Sequence, residues 1–68
     1  MKVSRNVVKQ IRENLLISKT ELARQAGLSP ITIGRIERGM DCRLETKRKV
    51  LLALGLDITD RQHVFPED

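Results

Sequence analysis

The chain has 68 residues, with 13 Lys or Arg against nine Asp or Glu, for a formal net charge of +4. That length allows one domain with a modest core, expected over residues 1–68, and a single cysteine, Cys42, excludes an internal disulfide. No apolar run is long enough for a membrane span, the N-terminus lacks a signal-peptide apolar region, and a lone loop thiol suits a reducing compartment; a cytoplasmic domain with no membrane partner is expected.

The charge is unevenly placed. Residues 1–56 hold twelve basic and five acidic side chains, a balance of +7. Residues 57–68 hold Arg61 against Asp57, Asp60, Glu67 and Asp68, a balance of −3. A basic body with an acidic tail favours a polyanion partner on the body.

In chain order, the first helix is predicted from about Ser4 to Leu16, with Val8, Ile11 and Leu15 on one face. Residues 18–39, SKTELARQAGLSPITIGRIERG, then read as two short helices around a glycine turn. Ser18 and Glu21 stand at capping-box spacing, each side chain answering a free N–H at the helix start. Counting from Lys19, small Ala23 is fifth, Gly27 ninth, and branched Ile33 and Ile36 fifteenth and eighteenth. Ala23 must be small where the second helix crosses the first, and Gly27 suits a reversal needing positive φ. Ser29 supplies an N-cap hydroxyl, Pro30 fits the first helical position, and Gly39 suits a left-handed end. Leu22, Ala26, Leu28, Ile33 and Ile36 are expected to close a small core behind the pair. This is the spacing of a DNA-binding helix-turn-helix.

The fourth helix is predicted from about Leu44 to Leu54, ended by Gly55, with Leu44, Val50, Leu51 and Leu54 inward. Glu45, Arg48 and Lys49 face outward. A last short helix runs from about Thr59 to Val64, opened by Thr59 and Gln62 at capping-box spacing and stopped before Pro66. Strand-type alternation, repeats and low-complexity linkers are absent. The fold class is all-α, a compact bundle of about five short helices.

Arg12, "ISKTELARQAGLS", "IGRIERG" and "LLALGL" together resemble the phage repressor/Cro-like (XRE-type) helix-turn-helix family, over about residues 6–65. The resemblance implies a lambda-repressor-like domain that binds double-stranded operator DNA, usually as a two-fold homodimer. It places helix 30–38 in the major groove, where N-terminal residues meet base edges. Pro30, Ile31, Thr32, Arg35 and Arg38 then face outward, while Ile33, Ile36 and Glu37 face inward. Arg35 is the candidate base reader, since a guanidinium binds guanine O6 and N7 together; the alternative is a phosphate contact. Ile31 suits a thymine methyl, or packs sideways on Lys19 or Leu28, and Thr32 serves a base or a phosphate. Lys19, Arg38 and Arg43 are the phosphate candidates, Arg43 lying by resemblance near the operator centre. The family also pairs Arg12 and Glu37 as a partly buried salt bridge, which leaves Arg12 able to face the DNA backbone.

Several positions depart from the family pattern. Relatives often carry glutamine or another polar residue at Pro30 and Ile31, so a purine-reading amide is missing. Lys47 stands where a leucine is usual, so either its stem covers the core edge or the helix is rotated. Leu16 stands where relatives carry a turn glycine, so another turn form is expected. The loop Gly39–Arg43 is short and lacks the common proline. Gly34 sits mid-helix, either for close approach to the groove or merely tolerated.

Catalysis has little support. His63 has no ligand or nucleophile partner at useful spacing, Cys42 lacks a histidine-based arrangement, and Asp57 and Asp60 look like caps and turns. No enzyme activity, cofactor or metal site is expected. The expected function is a sequence-specific transcriptional regulator, a repressor of phage or prophage type. Its candidate dimer contacts are Met40, Cys42, Ile58 and Val64, although Val64 and Phe65 alternatively seal the monomer core. Two other readings stand beside it: an antitoxin that binds its own promoter and a toxin protein, and an interaction adaptor that reads no DNA.

Overall fold

The computed structural model describes residues 6–66. The expected helix start at Ser4, and Glu67 and Asp68 of the acidic tail, lie outside the described residues. Five α-helices follow in order: α1 (Val8–Asn14), α2 (Lys19–Ala26), α3 (Pro30–Glu37), α4 (Leu44–Ala53) and, after a 3-10 turn (Ile58–Asp60), α5 (Arg61–Val64). The described residues contain no strand, and no helix among them is long and apolar enough to cross a membrane.

Four of the helices end in one repeated device. One or two residues past the end of each, the chain takes positive φ: Leu16 at 59°, Gly27 at 71°, Gly39 at 91° and Gly55 at 79°. The amide of the following residue then donates five residues back along the chain. These bonds are Ile17 to Arg12 (3.3 Å), Leu28 to Ala23 (2.8 Å), Met40 to Arg35 (3.0 Å) and Leu56 to Leu51 (3.0 Å). Each satisfies a carbonyl that the helix leaves without a partner, and each turns the chain sharply. The turn after α1 therefore takes the same left-handed form as the others, contrary to the expectation of a different one. A leucine bears the conformation there.

The core collects one apolar stripe from every helix. Val8, Leu22, Ala23, Ile33, Ile36, Val50, Leu51, Leu54, Val64 and Phe65 form a buried cluster, rimmed by half-buried Val7, Ile11, Ile17, Leu28, Cys42, Ala53 and Leu56. Full burial of such a side chain contributes about 1.5–3 kcal/mol, enough in sum to order a small domain. Ala23, 1 % exposed, leaves α2 and α3 room to pack closely.

Four expectations shift at helix ends. Asn6 and Val7 are not helical, so α1 starts only at Val8, whose amide donates to Asn6 Oδ1 at 3.1 Å. Leu15 is exposed, because α1 stops at Asn14 and its buried stripe runs from Val8 to Arg12 instead. Leu44 is exposed, as the first residue of α4 before its inward face begins. The last segment opens two residues earlier than expected, on a capping box of Asp57 and Asp60 rather than Thr59 and Gln62. At α2 the Ser18 hydroxyl accepts from the Glu21 amide at 3.1 Å, while the Glu21 carboxylate turns to Arg24 and Gln25.

Lys47 resolves the question its position raised. Its side chain is only 12 % exposed, its ammonium sits 5.5 Å above the Phe65 ring centroid, and Asp41 approaches it at 3.8 Å. The aliphatic stem covers the core edge where a leucine would lie, with the charge kept near the surface.

Candidate nucleic-acid interface

The residues of 29–38 make a helix with one dry and one wet face. Ser29 caps it, its hydroxyl accepting from the Thr32 amide at 3.1 Å, and Pro30 needs no partner for an N–H it lacks. Ile33 (0 %) and Ile36 (2 %) point into the core. Ile31, Arg35 and Arg38 are exposed and lie at four- and three-residue spacing, so they form one stripe along the solvent side. Ile31 is 67 % exposed, so most of its surface is open to solvent. Thr32 is half-buried and its hydroxyl pairs with that of Ser29 at 3.0 Å, so it belongs partly to the cap.

Lys19, the first residue of α2, reaches across to α3. A Cβ added at Gly34 would lie 4.0 Å from Lys19 Nζ, so the ammonium rests against the middle of α3. Gly34 leaves room for that approach, although alanine would meet only ordinary van der Waals contact. Arg43 is exposed at the N-cap of α4. The structure thus places cations from α2, α3 and the start of α4 on the surface.

Behind the stripe, α1 holds the C-terminal end of α3. Arg12 Nε donates to Glu37 Oε2 at 2.7 Å and Nη2 to Oε1 at 3.2 Å, a two-pronged pair with side chains 10 % and 4 % exposed. Arg12 Nη1 also donates to the Ile17 carbonyl at 2.9 Å. The hydrogen bond to Glu37 raises the Arg12 pKa above its already high ordinary value, against the opposing effect of burial. With three N–H groups turned inward, Arg12 leaves little of its guanidinium to a phosphate. Its first role is to tie α1, the following turn and α3 together.

Asn6 was not visible as a site residue in the sequence. Its Nδ2 donates to the Ile36 carbonyl at 2.8 Å, thirty residues away. Local spacing carries no signal for such a bond.

Away from the stripe, an apolar groove of about 420 Å³ runs between α4 and the 3-10 turn. Leu44, Leu51 and Ile58 line it, with Glu45, Lys47, Arg48 and Arg61 also on its wall. Among the candidate dimer residues, Met40 (52 %) and Ile58 (45 %) are exposed and Cys42 is half-buried. Val64 is 1 % exposed and Phe65 4 %, so both seal the monomer core and Val64 is no longer a contact candidate. The described residues contain no His, Cys, Asp or Glu group arranged to hold a metal ion.

Comparison with known proteins fits this geometry. Residues 8–60 match the profile of a family described as helix-turn-helix. No curated protein sequence matches the chain. Among solved structures, it is similar to the clp gene regulator ClgR from C. glutamicum, at 26 % identity and a TM-score of 0.74, over 84 % of this chain and 75 % of that one. It is also similar to the restriction-modification controller protein C.AhdI from Aeromonas hydrophila, at 25 % identity and a TM-score of 0.74, over 79 % and 83 %. A third is a hypothetical transcription factor, NHTF, from Neisseria, at 25 % identity and a TM-score of 0.72, over 97 % and 84 %.

Proposed function

Because the chain belongs to the helix-turn-helix family of Cro/C1 (XRE) type, we propose that it is a DNA-binding transcriptional regulator that reads a specific duplex site as a homodimer. Repression in the manner of a phage or prophage repressor is the reading carried over from the sequence. The observation that carries the DNA-binding reading is the open stripe Ile31–Arg35–Arg38 on a helix whose other face is buried and capped. The descriptions of the similar structures, as a gene regulator, a controller protein and a transcription factor, support a regulatory role.

In this reading α3 enters the major groove. Arg35 binds guanine through two N–H groups, worth about 1–3 kcal/mol of discrimination. Ile31 meets a thymine methyl, and Thr32, half committed to its cap, serves a phosphate or a base edge. Lys19, Arg38 and Arg43 neutralise phosphates, and the released counterions supply most of the affinity. Arg12 and Glu37 act behind the interface.

The groove beside α4 is the proposed contact with the second copy. Leu44 and Ile58 are its exposed apolar residues, and its wall carries one carboxylate, Glu45, and three cationic side chains, Lys47, Arg48 and Arg61. A two-fold interface needs a self-complementary patch, and Leu44 and Ile58, each meeting the same pair on the other copy, provide its apolar part. Met40 and Cys42 are the remaining loop candidates for the same contact.

The test is selection of the purified protein on random duplex DNA at moderate salt, with Arg35→Ala in parallel. A two-fold site enriched by the wild type, with preference relaxed at one position in each half-site of the variant, is the expected result. Binding that enriches nothing and weakens equally on all duplexes as salt rises removes the sequence-reading proposal.

A further inference from the structure

We propose that Asn6 is a positioning residue for α3, holding the end of that helix at the roll that presents Arg35 to a base. This rests on the DNA-binding reading above.

Asn6 is just outside α1, and its amide faces two ways. Oδ1 accepts from the Val8 N–H at 3.1 Å, which starts α1, while Nδ2 donates to the Ile36 carbonyl at 2.8 Å, in the last turn of α3. That carbonyl also accepts from the Gly39 amide at 2.9 Å, so both of its lone pairs are used. The neighbouring residue is held as well, Val7 N–H donating to the Val64 carbonyl at 3.1 Å. Asn6 is therefore anchored to a fixed part of the molecule before it reaches α3.

The second hold is Arg12 on Glu37. Ile36 and Glu37 are consecutive, one gripped through its backbone carbonyl and the other through its side chain. Ile33 and Ile36 seat the buried face of α3 in the core, and these two polar contacts in different directions remove the roll left at its C-terminal end. Arg35 immediately precedes the gripped pair. Reading guanine through two parallel N–H groups tolerates errors of only about 0.5 Å and 10–20°, whereas a cation near a phosphate tolerates far more. Loss of the Asn6 hold therefore falls on discrimination between sequences rather than on general affinity.

The experiment uses Asn6→Asp and Asn6→Ser in the full chain. Asp keeps an oxygen for the Val8 amide and turns the donor facing Ile36 into a second oxygen, which repels that carbonyl. Ser keeps an acceptor near Val8 and is too short to reach Ile36, so it gives the same answer should Asp fold poorly. Dissociation constants are measured for the selected duplex and for a scrambled duplex over a range of salt, on protein shown to be folded by circular dichroism. The expected result for Asn6→Ser is a loss of about tenfold on the selected duplex, with the scrambled-duplex affinity and the salt slope unchanged; Asn6→Asp, whose added charge weakens all duplexes, shows the same tenfold loss of the ratio between the two duplexes. Equal losses on both duplexes, or no loss on either, overturn the positioning role. A wild type that selects no duplex overturns the DNA reading itself and this role with it, an outcome separate from a wild type that discriminates no better than its variants.

Discussion

Leu16 is the one described residue other than glycine with positive φ, and its side chain is 91 % exposed. Holding an L-residue there costs about 1–2 kcal/mol, while glycine would cost about 0.5–1 kcal/mol of extra backbone entropy. Leu16→Gly should therefore stabilise the fold by about 0.5–1 kcal/mol, read from the midpoint of urea denaturation. Arg12 and Glu37 behave oppositely, because each is buried against the other. Removing either partner, as in Arg12→Met, strands a buried charge and costs about 3–5 kcal/mol. The double variant Arg12→Met with Glu37→Met should cost much less than the two single changes added together. A thermodynamic cycle built from denaturation of the four proteins checks this.

At the scale of the element, α3 is short and depends on its ends. Ser29→Ala deletes the cap bond to the Thr32 amide and should cost about 1 kcal/mol. Gly34→Ala should return about 0.5–1 kcal/mol, since its new methyl group meets Lys19 Nζ no closer than 4.0 Å. Thermal unfolding of both variants tests the pair. The elements legible in the sequence were those whose ends carry chemical signals: Ser18 and Ser29 at starts, Gly27, Gly39 and Gly55 at stops. Periodicity misled at helix ends, past the end of α1 at Leu15 and at the first residue of α4, Leu44, because no pattern says at which residue the inward face begins or stops. Leu16 hid its turn because the signal for a left-handed residue is glycine, and here packing and hydrogen bonding impose the conformation on a leucine. The exposed stripe of the candidate interface followed from the same spacing that marked α3. Asn6 did not, since its bond to Ile36 exists only once distant elements have packed.

For the whole molecule, the described residues span 28 × 25 × 21 Å. If two copies meet through the α4 groove as proposed, a two-fold site requires their α3 helices to sit one DNA turn apart, about 34 Å. Ile58→Glu places a charge in that groove while leaving the core untouched. It should yield a monomer by sedimentation equilibrium and weaken DNA binding, while its circular dichroism remains that of the folded wild type. Long-range charge makes a separate prediction. Lys19→Ala, Arg38→Ala and Arg43→Ala should each weaken binding evenly across sequences and lower the salt slope by about one per copy. A change of sequence preference in any of them would move that residue from phosphate to base.

The bond from the Val7 amide to the Val64 carbonyl brings the chain's entry into the bundle beside its exit. Whatever is spliced onto either side, the domain behaves as a bead on a pinched loop, inserted at one point rather than strung in line. A short peptide linking the two sides would close the backbone into a ring with little distortion, and new ends could be opened at an exposed loop such as Met40–Asp41. Circular permutation of this kind would change the order in which the helices are made while leaving their arrangement intact.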